Sequence, residues 1–95
     1  DAFMTLAFMT FRERVFAEGA LPANVEQLIA VAVGHVTQCP YCIRGHRKAP
    51  LRRGATAAEI MEPIWVAAEM RAGGAYAHSA LALDTIADSQ GRQGG

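Results

Sequence analysis

The sequence predicts an all-α fold, and three observations carry that reading. Apolar residues recur at helical spacing along nearly the whole chain, and no stretch of any length alternates in the manner of a β-strand. Gly, Pro and capping residues then divide the chain at helix-sized intervals. The composition agrees, being rich in Ala, Val, Leu and Met with only 7% aromatics.

The first helix is read from Met4, Phe8, Phe11 and Val15, which fall at i, i+4, i+7 and i+11. Phe3, Leu6 and Phe16 widen its apolar surface, so it is expected to be buried from more than one side, by its own core or by a neighbouring subunit. EGALP, Glu18 to Pro22, breaks it. The second helix should start near Ala23 or Asn24 and run to about Gln38. Val25, Leu28, Ile29, Val31, Ala32, Val33 and Val36 leave it little polar face, which marks it as the central helix.

Cys39 then stands in an N-cap position, with Pro40 at the first helical position, where its missing N–H costs nothing. This third helix carries Arg44, Arg47, Lys48, Arg52 and Arg53, and Gly54 can close it in the left-handed conformation. Pro50 is expected to kink it or end it early. Thr56 and Glu59 form a T-x-x-E capping box opening a fourth helix, with Ile60, Met61, Ile64, Trp65, Ala68 and Met70 facing inward and a bend at Pro63. Gly73-Gly74 is read as the next break, and Tyr76 to about Asp88 as the last helix. Residues 1–88 thus read as one domain and 89–95, SQGRQGG, as a flexible tail.

A chain of 95 residues has room for a single domain. Yet 52% of it is apolar, more than one small core readily hides, and the excess points to self-association. Zero formal net charge gives no reason to expect nucleic acid as a partner. No apolar run approaches the ~20 residues that span a bilayer, so no membrane partner is expected. DAFMTLAFMTF lacks a basic leader and a small-residue cleavage site and does not read as a signal peptide. Two cysteines in one CxxC are a poor disulfide framework for a secreted domain, so the cytoplasm is the expected location.

The chemistry concentrates in CPYCIRGH, Cys39 to His46. On one helix Cys39, Cys42 and His46 are spaced i, i+3 and i+7 and share a stripe. The positive end of the helix and the basic neighbours favour thiolate over thiol, the form that attacks peroxides and disulfides. His46 lies one turn beyond Cys42, placed to exchange a proton with its sulfur. Zinc is a competing reading, with Cys39, Cys42 and His46 joined by His35 or His78. Covalent haem is excluded because Ile43 stands where the histidine must follow the second cysteine. Inert buried thiols are the plain alternative. The basic residues read as a solvated helix surface or, more sharply, as a docking patch for an acidic electron donor. Trp65 and the methionines read as core.

The run from Glu26 to Leu81, and the chain from about Leu21 to Ile86, resembles the AhpD-like (alkylhydroperoxidase D-like) branch of the carboxymuconolactone decarboxylase superfamily. The residues that carry the likeness are the long apolar helix entering CxxC-x3-H, the G-A-T-x-x-E-I connection at Gly54–Ile60, and the later Gly-Gly. The lactone decarboxylases of that superfamily lack the cysteine pair, so decarboxylation is not expected. The resemblance implies a central helical hairpin and assembly into homotrimers or homohexamers. It also implies a peroxidase in which Cys42 attacks a hydroperoxide, with an organic one expected, and Cys39 resolves the sulfenic acid into a disulfide. An external dithiol, lipoyl or a thioredoxin-like protein, would reopen it, and no flavin, haem or metal is implied. Position alone would have made Cys39 the stronger nucleophile, so the two arguments conflict; the nearness of His46 to Cys42 favours the family assignment. The family's relay glutamate corresponds to Gln27, which can orient His46 or hold a water but cannot accept a proton as a carboxylate does. Glu26, His35 or Glu69 would have to supply the missing base. The alternatives are a thiol–disulfide exchange or redox-sensing protein with weak peroxidase activity, a structural zinc-binding oligomer, or a helical assembly module with dispensable cysteines.

Overall fold

The computed structural model describes residues 1–52 and 54–94, with the side chains of all but 47, 49, 52 and 92–94. Five helices follow in order among them: α1 (Ala2–Val15), α2 (Ala23–Thr37), α3 (Pro40–Arg52), α4 (Ala57–Ala77) and α5 (Ser79–Gly94), with no strand. The expected all-α architecture is therefore the one found.

Local signals set most of the helix ends. The Asp1 carboxylate accepts the Met4 N–H at 2.8 Å and caps α1. Thr56 Oγ1 accepts the Glu59 N–H at 3.2 Å while Glu59 accepts the Thr56 N–H at 3.0 Å, the reciprocal capping box expected at α4. Gly54, at φ +88°, closes α3: its N–H reaches Leu51 O, and the Ala55 N–H reaches Pro50 O at 2.9 Å, a Schellman arrangement. Gln38, at φ 60°, makes the turn from α2 into α3 although it is not glycine. Its carboxamide donates to His35 O at 2.6 Å, which helps hold that left-handed turn directly before Cys39.

Four expectations are corrected. Gly73-Gly74 does not end a helix: α4 runs through both glycines and stops at Ala77, with His78 as the cap. Each glycine costs a helix about 1 kcal/mol, which weakens it without terminating it. The last helix begins at Ser79 and continues through the segment read as a tail, to Gly94. Of the two outcomes expected at Pro50, early termination is the one not found: the helix closes two residues later, with Pro50 fully buried. The inward-facing set of α4 is the fourth correction. Ala67 is its buried residue, whereas Trp65 is 67% exposed and Met70 63% exposed.

Packing centres on α2, which lies against both α3 and α4, while α5 joins α4; among the described residues α1 has no extensive interface with another helix. Central position for α2 was expected, and Val31 on it is completely buried. At Gly34 α3 comes close to α2: a methyl there would sit 3.3 Å from Cys42 Cβ. Arg71 of α4 donates to the Val36 carbonyl in the last turn of α2, a charge-assisted link between the two helices.

Candidate thiol site

Cys39 directly precedes α3, and its sulfur accepts the Cys42 N–H at 3.3 Å, as an N-cap side chain does. Cys42 follows on the first turn, and both are free thiols. One turn further on, His46 Nδ1–H donates to Gln27 Oε1 at 2.7 Å. That bond assigns the tautomer and leaves Nε2 as the ring's free lone pair. The Phe16 ring lies against His46 with centroids 4.7 Å apart.

Cys42 and His46 open on one apolar cleft of about 400 Å³, walled by Val15 and Phe16 on one side and by Ile29, Val33 and Gly34 of α2. Glu26 also lines it, whereas Gln27 reaches His46 from the neighbouring face of α2. One residue rotates a helical side chain by about 100°, which accounts for the division.

The charges in the site are unequal. The hydrogen bond from Cys42 holds the Cys39 thiol below its ordinary pKa. The same shared hydrogen bond, then burial and the adjacent Cys39 charge, push Cys42 up, and Arg12 of α1 opposes that shift. Within the pair, Cys39 is therefore the thiol that ionises more readily and Cys42 the one that holds its proton longer. Burial, then the Arg12 guanidinium, lower the pKa of His46, so it stays neutral and able to take a proton.

Of the sequence-derived candidates, Cys39, Cys42, His46 and Gln27 are brought together. Of the substitute bases, Glu26 reaches the cleft. His35 Nδ1–H is committed to Val31 O at 2.7 Å, and Glu69 lies beside Gly73 on α4. His78 Nδ1–H bonds Gly74 O, away from the cysteines, and among the described residues no three His, Cys, Asp or Glu are grouped to hold a metal ion. Arg44 and Lys48 are exposed, as a solvated face requires; Arg53 and the side chains of Arg47 and Arg52 lie outside the described residues. Phe16, Gly34 and Arg12 were not anticipated. A glycine inside the otherwise bulky α2 was the one available signal, since it marks a close approach.

This helical frame with its cysteine-bearing turn defines the class. Residues 4–85 match the carboxymuconolactone decarboxylase family, and the chain belongs to it. It is 59% identical over 85 residues to a Paracoccus denitrificans protein named uncharacterized protein 4 in cox locus, covering 90% of this chain and 77% of that one. An uncharacterized Cupriavidus necator protein is 38% identical over 78 residues, covering 80% of this chain and 69% of the other. The chain also resembles a crystal structure from Methanobacterium thermoautotrophicum, with TM-score 0.79 and 35% identity over 84% of this chain and 90% of that one. No helix among the described residues is long and apolar enough to cross a membrane.

Proposed function

We propose that the chain is an AhpD-like thiol oxidoreductase that reduces organic hydroperoxides and cycles between a Cys39, Cys42 dithiol and a disulfide. The observation that carries this reading is that Cys42 and His46 share one apolar cleft while the Cys39 sulfur accepts the Cys42 N–H. His46 Nε2 takes the Cys42 proton, and the sulfur attacks the terminal oxygen of ROOH. The O–O bond breaks, ROH leaves with one proton, and Cys42 becomes a sulfenic acid. The Cys39 thiolate then attacks the Cys42 sulfur and expels hydroxide, which leaves as water with the second proton. Two electrons have passed from the thiols to the peroxide. An external dithiol, lipoyl or thioredoxin-like, returns them, which suits a reducing compartment such as the cytoplasm.

A second reading has its own support. Cys39 ionises more readily than Cys42, and Gln27 stands where the relay carboxylate would be, which together favour thiol–disulfide exchange over fast peroxide attack. Intact mass after brief treatment of reduced protein with one equivalent of an organic hydroperoxide tests both. Rapid loss of two hydrogens supports the peroxidase. Unchanged mass, with ready oxidation by a small disulfide, shifts the function to exchange.

A further inference from the structure

The chain exposes 7525 Å², whereas a compact monomer of its 10.2 kDa should expose roughly 5300 Å². Its radius of gyration is 20.2 Å, against about 12 Å for a globular chain of this length. The excess of about 2200 Å² is more than the ~800 Å² each partner contributes to a standard interface. Much of it lies on α1, which buries no residue and exposes Phe3, Leu6, Phe8 and Phe11 by 60 to 75%. Residues 2–11 carry no charge at all.

The same chain holds a vacant counterpart. Between α2 and α4 runs a groove of about 580 Å³, bounded by Val33, Val36, Val66 and Met70 with small residues, Ala67 and Gly74, among them; its one charged lining residue, Arg71, donates to the Val36 carbonyl. On α4 it extends from Val66 to Ala75, about 13 Å of helix, and the first three turns of α1 span a similar length. Large side chains at Met4, Phe8 and Phe11 on one helical stripe meet small ones in the groove, the pattern of a helix seated in a groove. The other projecting helix, α5, carries Asp84 and Asp88, whereas the stretch of α1 that matches the groove in length carries no charge on any face.

We propose that α1 of one copy of this chain docks in the α2/α4 groove of a second copy, so that neighbouring subunits exchange their N-terminal helices. The test uses the cysteine-free chain, Cys39→Ser with Cys42→Ser, in two labelled forms, one with Phe8→Cys and one with Met70→Cys. Mixed and mildly oxidised, they should give a disulfide between one chain of each kind as the main product. Cross-linking of Met70→Cys to Leu83→Cys on α5 in preference to Phe8→Cys would overturn the assignment, as would a single-chain mass for the unmodified protein at micromolar concentration. Phe8→Asp with Phe11→Asp in the otherwise native chain provides the second measurement. Reduced particle mass with helical ellipticity retained is expected, and an unchanged mass would refute the exchange.

Discussion

Gln27 decides how the Cys42 proton can leave. Its carboxamide fixes His46 but adds no negative charge, so the imidazole is held neutral by burial and by Arg12. The neutral form is the one the fold favours, so any stability from His46 is present above the ordinary histidine pKa of about 6.5 and is lost as pH falls through the lower folded value. An NMR titration should place the His46 midpoint below that of a free histidine. Gln27→Glu should move it upward, because a carboxylate stabilises imidazolium, and should raise the rate of peroxide-driven disulfide formation; a general base is typically worth about 10² to 10⁴. An unmoved midpoint would refute the Gln27–His46 contact. Arg12 acts on the same atoms from α1. Arg12→Gln should slow Cys42 alkylation at neutral pH a few-fold and shift its pH profile upward, while Arg12→Lys should not. Because Arg12 is exposed, the difference should fade in high salt.

At the scale of elements, the contact of α2 with α3 places the thiols. Gly34→Ala would gain about 0.5–1 kcal/mol of helix propensity. Its new methyl would lie 3.3 Å from Cys42 Cβ and 3.4 Å from Ile43 Cγ1, atoms held close to the α3 backbone. Overpacking of this kind costs about 1–3 kcal/mol, so net destabilisation is expected in urea, together with altered Cys42 reactivity. A more stable variant with unchanged reactivity would show that α3 yields freely. The capping box makes a simpler case. Thr56→Ala should cost about 1 kcal/mol. The Thr56 N–H and hydroxyl hold the Glu59 carboxyl below its usual range, so this contribution is present above the unfolded carboxylate pKa and declines as acid protonates Glu59.

For the whole molecule, the governing fact is how little one chain buries. Among the described residues, Ala23, Val31 and Ala67 are the buried hydrophobic ones, while Trp65, Met70 and the phenylalanines of α1 face outward. Folding and association should therefore be coupled. The urea midpoint is expected to rise with protein concentration, and a midpoint independent of concentration would mean that the single chain is stable alone.

The sequence by itself determined the first three helices, the capped start of the fourth and the reactive stripe. Asp1, Pro40, Gly54 and the Thr56–Glu59 box act on neighbours within a few residues, so their effect is readable locally. Cys39, Cys42 and His46 share one helix, and helical geometry alone aligns them. The tertiary structure decided the rest. Gln27 meets His46 from nineteen positions away, Glu26 enters the cleft beside it, and Phe16 covers the imidazole from beyond α1. It also carried α4, which packs on α2, through Gly73-Gly74, where glycine's cost to a helix is about 1 kcal/mol each. Periodicity shows that a helix face is apolar but cannot name what covers it, which is why Trp65 and Met70 were read as core and lie on the surface of the chain.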